Sequence, residues 1–256
     1  MLLAIDIGNT NIVVGLFSKE KLLGSFRFAT RPATTTDEIA LLISGWLKES
    51  DHKKENVNAV IISSVVPSLT NAFEQLAQKY FKCKPIMVSA HLKLPIKIDI
   101  DNPEQVGADR IANAVAGFAR FGGEVIVVDF GTTTNFDVVD ANGNYIGGVL
   151  IPGPETSLSE LARKAARLFE VPFTPPPQVV GRSTTEALMS GLFYGTVGQV
   201  DHILERILTE TKFVKPNIIA TGGLAEKVAK HSKHIKRIEP NLTLEGLQII
   251  SELNLD

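Results

Sequence analysis

The feature that most constrains the fold is an acidic turn that occurs twice. Near the start, an apolar run ends at Asp6, and Gly8 follows before a second apolar run. About half of the chain later, another apolar run ends at Asp129, and Gly131 follows before a second β-branched run. Two such runs around a turn rich in Gly, Asn and Thr predict a β-hairpin in each place. The repetition therefore predicts two similar half-molecules.

The residues of these turns favour an anionic ligand. The first turn, Asp6 to Asn11, is small and polar, and Thr132 lies in the second. Backbone N–H groups and short polar side chains can hold a phosphate, and a nearby carboxylate can attract a cation. Each half would then offer one phosphate-facing hairpin to a shared cleft. Two unrelated strands that happen to end in Asp-x-Gly are the simpler alternative.

The composition excludes several classes of protein. With 256 residues, 44% of them hydrophobic and 21% charged, the chain can form one large domain or two of ordinary size. A net charge of −2 argues against broad binding to nucleic acid. The single Cys83 excludes an internal disulfide. No apolar run has the length of a membrane span. We therefore predict a cytoplasmic protein that binds neither nucleic acid nor membranes.

The segment Gly107–Arg110 offers reactive groups that neither hairpin contains. The spacing of apolar residues predicts a helix over 104–120, and small residues around Asp109 leave room for a ligand. A carboxylate there could accept a proton from a hydroxyl group, and the neighbouring guanidinium could hold a carboxylate through two hydrogen bonds. An exposed ion pair with no function is the alternative.

Three further segments are candidates for a ligand site. Ser63 and Ser64 end a predicted strand, where sites gather in open α/β sheets. Thr221–Gly223 predicts a strand, a glycine turn and a helix, which can attract an anion. Thr184 or Thr185 is expected to cap a long helix. The P-loop and Rossmann glycine patterns are absent, so a nucleotide would be held by another arrangement.

In order along the chain, these segments resemble the type III pantothenate kinases of the acetate and sugar kinase/actin-like superfamily. The segments that carry the resemblance are Asp6–Asn11, Gly107–Arg110, Asp129–Thr134, Gly147–Gly148 with Pro152–Gly153, Gly181–Thr184 and Thr221–Gly223. The resemblance implies an α/β fold with two ribonuclease-H-like halves, mixed sheets and an ATP cleft between them. We expect an N-terminal domain over 1–120 and a C-terminal domain over 121–256, with the last helix able to pack on the first.

The same resemblance implies transfer of the ATP γ-phosphate to pantothenate, giving 4′-phosphopantothenate in the first step of coenzyme A biosynthesis. It implies a homodimer, and it makes Asp109 the general base. The implied contacts with ATP and its Mg²⁺ are Asp6, Ile7, Gly8, Asn9, Thr10, Asn11 and Thr132. The implied contacts with pantothenate are Gly107, Ala108, Asp109, Arg110 and Thr184, and Thr184 could serve its own site or the partner subunit's. A monovalent cation (K⁺ or NH₄⁺) is implied at Asp129.

One departure from the family pattern keeps alternatives open. Ile100 stands where the family usually has an aromatic residue that lines the pantothenate pocket. A relative that binds a ligand without catalysis is therefore one alternative. The other is a two-metal nuclease with Asp6, Asp109 and Asp129 as metal ligands, against which the net charge of −2 counts.

Overall fold

A computed structural model describes residues 1–165 and 167–255 of the chain, which form two compact units. The first unit comprises residues 1–120 together with the segment from Asn241 onward, and the second comprises Phe121–Pro240. Each unit has its own sheet and its own hydrophobic core.

The elements alternate strands and helices along the chain. The strands are β1 (Leu2–Ile7), β2 (Asn11–Ser18), β3 (Lys21–Ala29), β4 (Ala59–Ser64), β5 (Ile86–Met87), β6 (Lys97–Ile98), β7 (Val125–Phe130), β8 (Thr133–Val139), β9 (Asn144–Pro152), β10 (Asn217–Gly222) and β11 (Arg237–Ile238). The helices are α1 (Thr36–Glu49), α2 (Pro67–Tyr80), α3 (Ala108–Phe121), α4 (Pro154–Lys164), α5 (Thr184–Thr211), α6 (Ala225–Ala229) and α7 (Leu242–Asn254), and 3₁₀ turns cover Lys54–Asn56 and Pro103–Gln105. No helix in the described residues is both long and apolar enough to cross a bilayer.

The sheet of the first unit has the strand order β3-β2-β1-β4-β5. Strand β1 is antiparallel to β2 and parallel to β4. The apolar residues of β1 point alternately to the two faces of the sheet, and all of them are buried. The carboxyl ends of β1 and β4 consequently meet at one edge of the sheet, where Asp6 lies opposite Ser63.

The five strands that belong to the second unit repeat this arrangement in the order β9-β8-β7-β10-β11. Strand β7 is antiparallel to β8 and parallel to β10, as β1 is to β2 and β4. The predicted pair of hairpins and the predicted mixed sheets are thus confirmed. The assignment of residues 1–120 and 121–256 to two ribonuclease-H-like domains stays a prediction.

The two hairpin turns are similar but not identical. In the first, Ile7 is opposite Ile12, whereas in the second Phe130 is opposite Thr134, so the second turn is one residue shorter. None of the described residues 6–11 has a positive φ, so the Gly and Asn residues of the first turn do not adopt left-handed backbone.

Two helix boundaries differ from the sequence-based expectation. Helix α3 begins at Ala108 and not at residue 104, because a 3₁₀ turn occupies Pro103–Gln105 and Val106 is extended. Helix α5 is capped by Ser183, whose side chain accepts a hydrogen bond from the backbone N–H of Glu186. Thr184 is therefore the first helical residue and not the cap.

The last helix, α7, packs closely against α3 within the first unit. A Cβ atom at Gly246 would overlap the backbone carbonyl of Ala112, so only glycine permits this approach. The contact is reinforced by an ion pair of Arg120 with Glu245 and by a hydrogen bond that the Thr243 hydroxyl donates to Asn113 Oδ1 at 2.8 Å.

We expect Gly246→Ala to lower the free energy of unfolding by about 1–3 kcal/mol, because the added methyl group has no room beside Ala112. Urea denaturation would measure the change. Gly45→Ala in α1 is the matched control, since no atom lies within 4 Å of its added Cβ. Helix propensity predicts that this control raises stability by about 0.5–1 kcal/mol. Destabilisation by the control and not by Gly246→Ala would contradict the packing argument.

Candidate functional site

The turn after β1 is a compact loop with an exposed tip. The backbone N–H of Gly8 donates to the carbonyl of Asn11 at 3.0 Å. A Cβ atom at Gly8 would lie only 2.9 Å from that carbonyl oxygen, so glycine is needed here for close approach of the backbone. Asn9 and Thr10 form the exposed tip, where their polar groups can meet a ligand.

Thr30, directly after β3, donates two hydrogen bonds to this turn. Its hydroxyl donates to the carbonyl of Gly8 at 2.6 Å, and its backbone N–H donates to the carbonyl of Thr10 at 3.0 Å. This role could not be predicted from the sequence, because the two partners lie some twenty residues earlier in the chain and meet Thr30 through the β1-β2-β3 meander. Thr30 therefore holds the turn at both Gly8 and Thr10 in the absence of a ligand.

The two serines at the end of β4 have different roles. The hydroxyl of Ser63, fully buried, donates to Asp6 Oδ1 at 2.8 Å. The hydroxyl of Ser64 lies 2.9 Å from that of Thr70 and also accepts from the backbone N–H of Val66, at the start of α2. Ser63 thus belongs to the acidic turn, and Ser64 belongs to the helix that follows.

The start of α3 lies at the same edge of the first sheet. The backbone N–H of Val65 donates to the carbonyl of Ile7 at 3.1 Å, next to the turn. Val65 Cγ1 is in turn 3.6 Å from the position that a Cβ atom of Gly107 would occupy. The Gly107–Arg110 segment and the Asp6 turn are thus both in contact with the short connection after β4.

Asp109 is a half-buried carboxylate in the first turn of α3. Its Oδ1 accepts a hydrogen bond from the backbone N–H of Arg110 at 2.9 Å. Burial raises the pKa of Asp109 above the ordinary aspartate value, although that hydrogen bond and the charge of Arg110 oppose the rise. A raised pKa makes the ionised carboxylate a stronger base. Gly107 leaves room for it, because a Cβ atom there would be 2.5 Å from Asp109 Oδ1.

In the second unit, Asp129 is the last residue but one of β7, as Asp6 is of β1. It lies opposite Thr221 of β10, and Gly222 follows with a φ of 89°. A Cβ atom at Gly222 would be 2.5 Å from both Asp129 Oδ1 and the carbonyl oxygen of Phe130. Gly222 is therefore required both for its left-handed backbone and for the space that it leaves beside two oxygen atoms.

The turn that contains Thr132 is fixed by the start of α4. The carbonyl of Thr132 accepts from the backbone N–H of Gly153 at 2.9 Å and from the hydroxyl of Thr156 at 2.7 Å. Gly153 is buried, and a Cβ atom there would overlap the backbone of Gly131. Because the backbone of Thr132 is fixed in this way, its exposed side chain has a defined place at the turn.

The remaining residues predicted for the site lie in other segments of the structure. Thr184 is exposed at the start of α5, and Ile100 is half-buried before the Pro103–Gln105 turn. The helix after Gly223 is α6, which has only five residues and no side-chain cap, so the predicted anion site at its N-terminus has little to support it. Within residues 1–165 and 167–255, no group of three or more His, Cys, Asp or Glu side chains is placed to hold a metal ion.

Comparisons with known proteins identify relatives along nearly the whole chain. A sequence model of the family described as type III pantothenate kinase matches residues 2–206. A type III pantothenate kinase of Geobacter sulfurreducens is 44% identical over 254 residues, which are 99% of this chain and 99% of that protein. The type III pantothenate kinase of Frankia alni is 46% identical over 256 residues and covers 100% of both chains.

A solved structure is similar in fold at low sequence identity. The activator of 2-hydroxyisocaproyl-CoA dehydratase from Clostridium difficile, determined with bound ADPNP, has a TM-score of 0.58 and 11% identity. The match covers 98% of this chain and 95% of that one. Together with the two mixed sheets, this likeness confirms the predicted α/β fold with mixed sheets.

We expect Thr30→Val to weaken binding of a Mg²⁺–nucleotide several-fold, because it removes the hydroxyl that holds the Gly8 carbonyl while keeping the size of the side chain. Loss of one such hydrogen bond also costs about 1 kcal/mol of stability. Titration with a fluorescent ATP analogue would measure the binding. Thr34→Val is the matched control, since its hydroxyl bonds only the nearby Arg31 carbonyl, at 2.8 Å. Equal binding by both variants would contradict the role assigned to Thr30.

Proposed function

Because the chain belongs to the type III pantothenate kinase family, we propose that it transfers the γ-phosphate of ATP to the primary hydroxyl of pantothenate. The product is 4′-phosphopantothenate, and the reaction is the first step of coenzyme A biosynthesis. The observation that carries the proposal is the placement of Asp109. This carboxylate of raised pKa stands at the same sheet edge as the turn suited to phosphate.

The groups around the first turn fit ATP with Mg²⁺. Mg²⁺ prefers oxygen ligands and is commonly bound through one or two carboxylates together with substrate phosphates. Asp6 supplies a carboxylate, and the backbone and side chains of Ile7 to Asn11 supply hydrogen-bonding groups for phosphate. When bound, the metal neutralises charge on the phosphates. We propose that Thr132 adds a contact to the phosphates.

Asp109 and Arg110 are proposed to act on the acceptor. The ionised Asp109 accepts the proton of the pantothenate hydroxyl as that oxygen attacks the γ-phosphorus atom, and the bond from this phosphorus to the bridging oxygen breaks so that ADP leaves. Arg110 binds the carboxylate of pantothenate, a task for which a planar guanidinium is well shaped. Gly107 and Ala108 bring the backbone close to the acceptor. Because phosphoryl transfer requires mainly positioning and charge neutralisation, these groups suffice for the chemistry.

A monovalent cation is proposed to bind at Asp129. Support comes from the two oxygen atoms, Asp129 Oδ1 and the Phe130 carbonyl, that both lie beside the α-carbon of Gly222. Hard oxygen donors of this kind suit K⁺ or NH₄⁺, and a cation there would add to the positive charge available for the phosphates.

We further propose that the protein is a homodimer and that Thr184 contacts pantothenate, in its own site or in the partner's. Support comes from large apolar side chains left exposed near the start of α5. Val179 and Val180 are 63% and 80% exposed, and Tyr194 is 36% exposed. A patch of this kind is typical of an interaction surface.

The alternatives are less well supported. Family membership over residues 2–206 favours a kinase over a two-metal nuclease. The non-catalytic alternative rests on Ile100 alone, and isoleucine keeps this position apolar. Measurement of ADP production with and without pantothenate tests the proposed function directly. ADP production that does not depend on pantothenate would contradict it.

We expect Asp109→Asn to lower kcat by about 10²- to 10⁴-fold, because an amide cannot accept the hydroxyl proton. Nucleotide binding should survive. In the unmodified protein, kcat/KM should fall as the pH decreases through the raised pKa of Asp109, above the ordinary aspartate value of about 4.

Coupled ADP assays across pH would measure both effects. Asp51→Asn is the matched control, since Asp51 is exposed after α1, outside the segments assigned to the site, and asparagine tolerates its φ of 60°. Full activity of Asp109→Asn would exclude Asp109 as the base.

We expect the rate to be several-fold higher in K⁺ or NH₄⁺ than in Na⁺ at equal ionic strength and fixed Mg²⁺, because the larger cations suit a site made of a carboxylate and a carbonyl. Asp129→Asn should remove this preference. Glu210→Gln, an exposed change near the end of α5, should keep it. Steady-state rates in the three salts would decide, and equal rates for the unmodified protein would count against a cation site at Asp129.

A further inference from the structure

The two units share a pairing of hydroxyl and carboxylate residues that the sequence does not reveal. In the first unit, Asp6 of β1 is in register with Ser63 of the parallel neighbour β4. In the second, Asp129 of β7 is in register with Thr221 of the parallel neighbour β10. Ser63 and Thr221 are 0% and 2% exposed. In each unit, therefore, a residue with a buried hydroxyl group lies beside the acidic residue.

Ser63 is a buried polar residue that follows an apolar part of β4, and its hydrogen bond to Asp6 explains why a hydroxyl is tolerated there. The four residues that precede it, 59–62, are all apolar and buried. A hydroxyl group in such surroundings is costly unless it forms a hydrogen bond. The bond that Ser63 forms is to Asp6 Oδ1, at 2.8 Å. A hydrogen bond to an ionised carboxylate is stronger than one between neutral groups, so it restricts rotation of the Asp6 side chain.

We propose that Ser63 is a positioning residue for the Mg²⁺–nucleotide complex, which it affects by holding the Asp6 carboxylate in a fixed orientation. This inference rests on the proposed function only in requiring that Asp6 acts at the nucleotide's metal. It does not require pantothenate to be the acceptor. Residues that orient a carboxylate in this way typically change metal affinity or activity about 10- to 100-fold when they are lost.

The neighbouring Ser64 provides a matched control. It is the next residue of β4, and its hydroxyl bonds Thr70 and the Val66 backbone instead of Asp6. Ser64→Ala therefore removes the same atom from the same strand and should affect the start of α2 alone. A loss of stability common to both variants would report on packing, whereas a change in Mg²⁺ dependence confined to Ser63 would report on Asp6.

The test is a Mg²⁺ titration of nucleotide binding, followed with a fluorescent ATP analogue in the absence of pantothenate. For Ser63→Ala we expect the Mg²⁺ concentration at half-maximal binding to rise about tenfold or more. Ser64→Ala should match the unmodified protein. Ser63→Cys, which fills the space but has only a weak donor, should resemble Ser63→Ala and guards against a folding defect in the smaller variant. Thermal unfolding would confirm that each variant is folded.

Steady-state kinetics provide a second readout. The Mg²⁺ requirement of kcat should rise in Ser63→Ala, while the KM for pantothenate should change less than the Mg²⁺ requirement. An unchanged Mg²⁺ titration for Ser63→Ala, or an equal change in Ser64→Ala, would overturn the proposal and leave the kinase assignment intact. A protein that binds the Mg²⁺–nucleotide but produces no pantothenate-dependent ADP would overturn the proposed function and leave the inference on Ser63 standing.

Discussion

The site of the first unit depends on the parallel pairing of β1 with β4. This pairing brings two segments that are more than fifty residues apart in the chain to one sheet edge, with Asp6 beside Ser63. The connection after β4 then touches both the acidic turn, through the Ile7 carbonyl, and the start of α3, through Gly107. A slip of one residue in this register would turn alternate side chains to the other face and separate the groups.

The second unit has the same strand arrangement, but different residues hold its turn in place. Its turn is one residue shorter than the first and is held by Gly153 and Thr156, whereas the first is held by Thr30. Gly222 keeps space beside Asp129 that the first unit has no glycine to provide. The duplicated sheet thus preserves the position of the acidic residue, and the surrounding contacts have diverged.

The sequence was informative where its signals are local. The two hairpins and the acidic residues at their turns were predictable, because turn composition and apolar spacing are properties of neighbouring residues, whereas the role of the Gly107–Arg110 segment stays a prediction. The roles of Thr30 and Ser63 were not, since each depends on strand register between distant segments. The start of α3 was misplaced by four residues because a 3₁₀ turn and a helix have similar local patterns.

The close packing of Gly246 on Ala112 has a consequence for synthesis of the protein. The second unit is one continuous stretch, but the first is completed by α7, which follows the second unit in the chain. On the ribosome, therefore, the second unit can reach its final form while the first still lacks the helix that covers β1 and β4. The apolar surface that α7 covers stays exposed until that helix has been made, so chains that stall before α7 would be substrates for chaperones and proteases.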